Sequence, residues 1–377
     1  MRLNLLRISI LFPTNECHTY SMSELLFTKT LRCRVKDKHA KMLLAQSKEV
    51  NFVWNFINEL SEKHTRRTGK FLSAYDLNAY TTGASKEGLS LHSQTVQAIN
   101  EEFVVRRKQF RKTRLAWRKS GGARRSLGWI PIKKVAIQYK NGQLHYQGQI
   151  ISLWDSYGLP DYELGAGSFS EDSRGRWYFN TTVKVKKKTN ACNKSIGIDL
   201  GLKECAVTSD SHRLIGRNYR KLESKLGIAQ RANKKSLAKA LHAKIKNRRK
   251  DELHKFSTML TQEYGAIFVG NVSGTKLVKT KMAKSTLDAG WSSLKTMLEY
   301  KSAYAGVVFE KVNEAFTTQT CSCCGSIPPS SPKGRAGLRI REWTCSACGT
   351  VHDRDVNAAK NILALGHGRL AVGIPVL

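Results

Sequence analysis

Asp199, at the end of a short apolar run, is a candidate catalytic residue of this 377-residue chain. Residues 195–199 read SIGID, which predicts a buried strand ending at Asp199, and Gly201 then lets the backbone turn sharply. If other carboxylates lie beside such a strand end, they can together hold Mg²⁺ for phosphodiester chemistry. A solvated turn aspartate is the alternative that this segment leaves open.

Cysteine spacing predicts a second site, for a different metal. Of the nine cysteines, five lie between residues 321 and 348, which favours a metal in a reducing cytoplasm over a disulfide framework. Two C-x-x-C pairs, each followed by a glycine, match a structural zinc ribbon. The predicted Zn²⁺ ligands are Cys321, Cys324, Cys345 and Cys348. Cys323 lies inside the first pair and could compete, although the second pair has no matching thiol.

Further acids lie on either side of this ribbon. Asp353 and Asp355 follow it at the start of a predicted helix, where acids in the first turn are also an ordinary structural preference. Before the ribbon, a predicted strand at 306–313 contains Glu310 and is followed by Glu314.

The chain is strongly basic, with 64 Lys and Arg residues against 29 Asp and Glu residues and a formal net charge of +35. Such a balance predicts a polyanionic partner, and nucleic acid is the leading class. A membrane surface is the rival, but no apolar run reaches the length of a transmembrane helix. We therefore expect a cytoplasmic protein without a membrane partner. Residues 1–22 resemble a signal peptide only weakly and read as an extension ahead of a second start at Met22.

The elements that must position these residues fall into two halves. In the first half, a strand at 27–35 is followed by helices at 37–64 and 93–119. Their predicted apolar stripes include Val50 and Ile57 in the first helix and Phe110 in the second. Strands resume at 127 with a hairpin at Asn141-Gly142. This order predicts a small β-barrel with an inserted helical lobe. In the second half, a basic helical region at 217–264 separates the Asp199 hairpin from a buried strand at 266–269.

Basic residues cluster on two of these helical regions and are candidates for phosphate contact, although a solvated basic face is the usual alternative. The candidates are Arg106, Arg107, Arg111, Lys112, Arg114, Lys234, Lys235, Arg248 and Arg249.

Four motifs in combination are far more specific than any one of them. GIDLG at Asp199, FTTQTCxxCG at the first cysteine pair, CxxCG at the second and DRDVNAAKNI after it closely resemble the OrfB/TnpB proteins of insertion sequences. Those proteins are relatives of type V CRISPR effectors. The resemblance covers about residues 195–365, and the first half of the chain matches only in layout.

The resemblance implies an α+β multidomain fold and an RNA-guided, Mg²⁺-dependent DNA endonuclease. Its partners would be a guide RNA from the transposon end and double-stranded target DNA, and its oligomeric state stays open. Asp199 would be the first acid and Asp355 the third, with Asp353 a neighbour not excluded. The implied layout is a wedge β-barrel at 23–36 and 127–190, a helical lobe at 37–126, a RuvC-like, RNase H-type domain at 191–316 and 350–377, and a zinc ribbon at 317–349.

The second acid is where the sequence departs from the family. A glutamate should follow the strand at 266–269, but the next residue is Gly270. In the RNase H topology the strand at 306–313 lies beside it, so we predict that Glu314 replaces the missing acid, with Glu310 in reserve. The alternative is a cleavage-dead, RNA-guided DNA-binding protein. An unguided zinc-ribbon DNA-binding protein and a transposase that uses three acids for strand transfer are less consistent with the motif order.

Overall fold

The computed structural model describes residues 26–84, 86–187, 190–217, 219–272, 279, 283–337 and 339–371. The predicted N-terminal extension, residues 1–22, lies outside the described residues. Within them, every helix is too short or too polar to cross a lipid bilayer.

The first half of the chain forms two antiparallel sheets around one hydrophobic core. The strands are β1 (Leu26–Val35), β2 (Trp129–Ile132), β3 (Ile137–Lys140), β4 (Gln143–Tyr146), β5 (Gln149–Ile151), β6 (Leu153–Trp154), β7 (Leu164–Glu171) and β8 (Trp177–Lys186). One sheet has the order β2-β7-β8-β1-β6 and the other β3-β4-β5. The predicted hairpin is confirmed, because β3 and β4 pair around Asn141 and Gly142, whose φ angles are 52° and 72°.

The predicted closed β-barrel is not confirmed, because the larger sheet of the described residues is open, with β2 and β6 at its edges. Strand β6 has only two residues, and β2 contains Pro131, which cannot donate a ladder hydrogen bond and therefore suits an edge. Strand β1 pairs with β8 along nine residue positions, from Leu26 to Arg34. The chain before the helices is thereby fixed to the chain after them.

Three helices lie between β1 and β2: α1 (Ala40–Thr68), α2 (Ala74–Thr81) and α3 (Ser93–Phe110). The predicted apolar stripe of α1 is buried, including Val50 and Ile57. Helix α3 ends at Phe110 and not at 119 as predicted, because Arg111 adopts a left-handed φ of 50° and the following chain is extended. Phe110, predicted to be in the apolar stripe, is 58% exposed.

The second half of the chain forms a mixed sheet. Its strands are β9 (Ser195–Asp199), β10 (Glu204–Thr208), β11 (Arg213–Ile215), β12 (Ala266–Gly270) and β13 (Val308–Val312), in the order β11-β10-β9-β12-β13. Strand β12 is parallel to both β9 and β13, so the carboxyl ends of these three strands meet at one edge. All five residues of β12 are buried, as expected for a parallel strand covered on both faces.

The helices of this half are α4 (Arg220–Arg231), α5 (Lys235–Glu263), α6 (Ala283–Ala289), α7 (Trp291–Ala305), α8 (Gly334–Gly337) and α9 (Arg354–Ala371). Helices α5 and α7 pack on one face of the sheet, and α9 packs on the other. The contact of α9 requires Gly197, because a Cβ there would lie 2.1 Å from the carbonyl oxygen of Ala359. The glycine before Asp199 thus lets α9 lie against β9.

A two-stranded sheet of β14 (Glu342–Thr344) and β15 (Val351–Asp353) carries the second cysteine pair. Strand β15 continues directly into α9, so the cysteine-rich segment and the helix that starts at Arg354 are consecutive.

Candidate active site and metal centre

Asp199 lies at the carboxyl end of β9, between the ends of β10 and β12. Burial raises the pKa of its carboxyl group to about 7, and the negative charges of Asp355 and Glu314 contribute in the same direction. The turn that follows is fixed by the indole of Trp291, which donates a 3.1 Å hydrogen bond to the carbonyl oxygen of Gly201. The carboxylate is thus held at a defined point of the sheet edge.

Glu314 brings a second carboxylate to the end of β12. Gly270 pairs with Val312 in the sheet, and Glu314 follows Val312 by two residues. A Cβ built on Gly270 would lie 2.5 Å from Oε2 of Glu314, so the glutamate occupies the space that a side chain at position 270 would need. Burial raises the pKa of Glu314, partly offset by the positive charge of Lys295.

Asp355 supplies the third carboxylate, from the first turn of α9, and is 8% exposed. Arg354 contacts one of its oxygens at 2.8 Å, and Arg341 pairs with the other. Neither arginine was among the residues predicted from the sequence, although Arg354 stands beside Asp355 in the DRD motif. Asp199, Glu314 and Asp355 line the same cleft, although their carboxylate oxygens do not meet as closely as the thiols of the cysteine cluster.

The two reserve acids lie elsewhere. Asp353 accepts hydrogen bonds from the backbone N–H groups of Asp355 and Val356, at 3.0 and 2.9 Å, and thereby caps α9. It also forms a 2.7 Å ion pair with Arg213 of β11. Glu310 forms a 2.7 Å ion pair with Arg369, near the other end of α9. Neither reserve acid is among the described residues that line the cleft.

The three acids face a cleft of about 760 Å³. Its lining also contains a fourth acid, Glu204, and five cationic side chains, namely Lys203, Arg217, Arg220, Arg341 and Arg354. Burial is the main cause of the raised pKa of Asp199, and repulsion by the carboxylates of Asp355 and Glu314 adds to it. Carboxylate oxygens are the ligands that Mg²⁺ and similar hard cations prefer.

The four predicted cysteines form a compact cluster in which all Sγ atoms lie within 4.8 Å of one another. Cys321 and Cys348 approach to 3.7 Å, and Cys324 and Cys345 to 3.8 Å. Cys323 is exposed and outside the cluster. Four convergent thiols make a donor set that suits a tetrahedral metal ion.

Both cysteine pairs sit on the same backbone turn. In the first, the N–H of Cys321 donates to Ser326 and the N–H of Gly325 donates to Cys321. The second repeats this, with the N–H of Cys345 donating to Thr350 and that of Gly349 donating to Cys345. Gly325 and Gly349 have φ angles of 73° and 74°, a conformation that glycine adopts readily. The predicted glycine turns are confirmed.

Asparagines of α9 fasten the helix to the chain that enters the cysteine cluster. Asn357 and Asn361 each donate a 2.7 Å hydrogen bond to the carbonyl oxygen of Thr320. The Asn357 side-chain oxygen also accepts from the N–H of Ser322, at 2.9 Å. Asp355 therefore belongs to a helix whose position depends on the fold around the cysteines.

The basic candidates differ in their surroundings. The prediction that Arg107 contacts phosphate is wrong, because this residue is 3% exposed. Its guanidinium donates hydrogen bonds to the hydroxyl of Ser61 and to the carbonyl oxygen of Leu72. Arg249 is partly buried and pairs with Asp288 at 3.5 Å. The exposed candidates are Arg106, Arg111, Lys112, Arg114, Lys234, Lys235 and Arg248.

These features define a class of protein with a mixed α/β fold. Three carboxylates line one cleft of this fold, and four cysteines form a separate cluster. Residues 178–281 match a family model described as a probable transposase, and residues 291–362 match the Cas12f1-like TNB domain. These matches, with the relatives below, confirm the resemblance to the OrfB/TnpB family.

Two relatives and one solved structure illustrate the similarity. The chain is 28% identical to a putative RNA-guided DNA endonuclease of Streptomyces pristinaespiralis, over 96% of this chain and 89% of that protein. It is 27% identical to the putative RNA-guided DNA endonuclease InsQ of Escherichia coli (strain K12), over 53% of this chain and 56% of that protein. A chain from a Cas12f1–sgRNA–target DNA complex has a similar fold, with a TM-score of 0.55 and 14% identity over 89% of this chain and 98% of that one.

Proposed function

We propose that this chain is an RNA-guided DNA endonuclease of transposon origin. The observation that carries the proposal is the convergence of Asp199, Glu314 and Asp355 in a cleft with arginines in its lining. Support for a guide RNA and a DNA target comes from the printed names of the relatives and from the net charge of +35.

The catalytic group of such an enzyme would be one or two Mg²⁺ or Mn²⁺ ions held by Asp199, Glu314 and Asp355. When bound, these ions stabilise charge on the attacking and leaving oxygens of phosphodiester hydrolysis. The protein's own part is to hold the three carboxylates on two strand ends and one capped helix. Arg217 and Arg220 in the cleft lining would bind the DNA backbone and orient the phosphate over the acids.

The four-cysteine cluster would hold one structural Zn²⁺. Because the cluster lies directly before α9, the bound ion would fix the start of the helix that carries Asp355. All the described cysteines are free thiols, which fits the reducing cytoplasm that we predicted.

The exposed basic residues would contact the phosphates of guide and target. Arg111, Lys112 and Arg114 follow α3, whereas Lys234 and Lys235 lie at the start of α5. With the same reasoning we retain the layout of a wedge region, an inserted helical lobe, a RuvC-like domain and a zinc ribbon at the predicted boundaries. The order β11-β10-β9-β12-β13 supports the RNase H-type part, since it places β13 beside β12 as that topology requires.

The alternative is a guided binding protein that does not cut. The position of Glu314 favours cleavage, because a carboxylate fills the place left by Gly270.

The test begins with the nucleic acid that copurifies with the protein. We expect a structured RNA, and the chain loaded with it should cut matching double-stranded DNA in the presence of Mg²⁺ or Mn²⁺. Asp199→Ala is the matched control and should bind guide and target but not cut. Guided binding without any cleavage by the unsubstituted chain would establish the binding protein instead, and absence of RNA would favour an unguided one.

A further inference from the structure

Helix α1 carries a row of asparagines that clamps the chain after α3. Asn58 exchanges two hydrogen bonds with the backbone of Leu115, at 2.8 and 3.0 Å. Asn55 does the same with Arg118, at 2.8 and 2.9 Å. Asn51 accepts from the Arg118 side chain at 2.6 Å. An extended segment without regular secondary structure is thus held rigidly against the helix.

The clamped segment closes a cavity of about 580 Å³, within the roughly 300–1,000 Å³ of small-ligand sites. Four aromatic residues contribute to its lining, namely Trp54, Phe110, Trp117 and Trp129. Trp117 is 41% exposed and Phe110 is 58% exposed. Large aromatic rings at the mouth of a preformed cavity offer flat faces for stacking.

The cavity also has positive charge. Arg106, Lys112 and Arg118 line it, with a single acid, Glu102, which is paired to Arg106 at 2.6 Å. Trp54 is 7% exposed and forms part of the cavity wall. A cavity with more cations than acids in its lining favours an anionic ligand.

We propose that this cavity binds a single unstacked nucleobase, with its phosphate at the basic rim. Stacking on Trp117 and Phe110 would hold the ring, and Lys112 would contact the phosphate. An apolar protein segment would gain nothing from these cations. The inference rests on the proposed function only in taking nucleic acid as the partner, and both RNA and DNA supply this chemistry.

The test uses fluorescently labelled pentanucleotides and the full chain, without guide RNA or added divalent cations. Intact oligoadenylate and oligouridylate pentamers, in ribo and deoxy forms, are compared with abasic pentamers that keep the same phosphates. We expect the abasic pentamers to bind about five- to a hundredfold more weakly. Trp117→Ala should weaken the intact pentamers to the abasic level and leave the abasic ones unchanged. Tighter binding of the ribo or the deoxy form identifies the source of the base.

One control variant sharpens the result. Trp154→Ala removes a tryptophan that is 61% exposed on β6, outside the cavity, and should change nothing. Thermal melting checks that each variant is folded.

Equal binding of intact and abasic pentamers, or full affinity in folded Trp117→Ala, would overturn the inference. These failures are separate from that of the proposed function. Guided DNA cleavage together with equal binding of intact and abasic pentamers would overturn only the proposal for this cavity. Base-dependent pentamer binding without guided cleavage would overturn only the proposed nuclease function.

Discussion

Glu314 reaches the cleft from a strand next to the one where the family pattern places its acid. Neighbouring strands lie about 4.8 Å apart, a distance that the side chain of a glutamate can span. Gly270 makes room for that side chain, since a Cβ at this position would collide with Oε2 of Glu314. The glycine at position 270 therefore leaves the space that the Glu314 side chain occupies, and Glu314 in turn leaves no room for a side chain at position 270.

Substitutions at these two positions should affect cleavage in a dependent way. Glu314→Ala should lower cleavage by at least about a hundredfold while guide and target binding persist, because a proposed metal ligand is lost. Gly270→Ala should also reduce cleavage, because the added methyl displaces the carboxylate. Glu310→Ala is the matched control and should retain activity, since Glu310 pairs with Arg369.

The double variant Gly270→Glu/Glu314→Ala returns the acid to β12 and should recover part of the cleavage. The two Cβ atoms would then be 3.4 Å apart, an ordinary contact, and Ile362 at 3.2 Å would have to shift slightly. Full cleavage by Glu314→Ala alone would show that Glu314 is not the second acid.

The raised pKa of Asp199 predicts a pH-dependent stability in Mg²⁺-free buffer. The folded-state pKa is about 7, against 3.8 ordinarily, so the folded protein holds this proton more tightly than the unfolded chain. The resulting stabilisation is complete below about pH 4 and is lost as pH rises through 7. The Asp199→Asn variant has no proton to lose at this position. The free energy of unfolding of the variant, relative to that of the unsubstituted protein, should therefore rise by about 2–4 kcal/mol between pH 4 and pH 8.

Urea unfolding of both proteins at pH 5 and pH 8 measures this difference, and the other titrating groups largely cancel between them. If the stability difference between the two proteins is the same at both pH values, the buried proton on Asp199 is refuted.

At the scale of elements, the cysteine cluster and α9 act as one unit. Strand β15 runs straight into the helix, Asp353 caps it, and Asn357 and Asn361 hold the chain that enters the first cysteine pair. His352 lies between them, with Nε2 3.0 Å from Sγ of Cys321. Loss of a cysteine from the cluster should therefore displace Asp355.

Cys345→Ser should lose about one equivalent of zinc, lower the melting temperature and reduce cleavage, because a structural metal contributes free energy of folding. Cys323→Ser is the matched control, since this thiol is exposed and lies outside the cluster. Metal analysis and melting of the two variants give the answer. Unchanged zinc content in Cys345→Ser would exclude the four-cysteine site.

Sequence patterns predicted the elements with strong local signals. The strand at Asp199, the Asn141-Gly142 hairpin and the glycine turns of the cysteine pairs are all found. The end of α3 was missed, because the competing hydrogen bonds come from Asn55 and Asn58, far away in the chain. The burial of Arg107 was missed for a similar reason, since a run of basic residues does not reveal which of them faces a neighbouring helix.

At the scale of the whole molecule, the excess of positive charge is carried largely by exposed side chains. Binding to a polyanion then releases counterions, and affinity falls as salt rises. The described part of the chain places exposed Lys and Arg residues on the helical lobe and on α4 and α5.

The salt dependence of single-stranded nucleic-acid binding should report the individual contacts. If Lys234 and Lys235 contact phosphates, replacing both with Gln should reduce the slope of log affinity against log salt by about 1.4. Arg107→Gln should leave the slope unchanged but lower thermal stability, because it removes a buried cation that binds Ser61 and Leu72. An unchanged slope in the double variant would remove these lysines from the interface.

The arrangement of Gly270 and Glu314 also constrains how such a site can evolve. A chain with an acid at both positions would be crowded, because the Cβ of residue 270 and the carboxylate of residue 314 compete for one volume. An ancestor with the acid on β12 could therefore reach this arrangement most easily by losing that side chain before or together with the gain on β13. Lineages that passed through a glycine at the first position would have carried a silent nuclease until the second appeared.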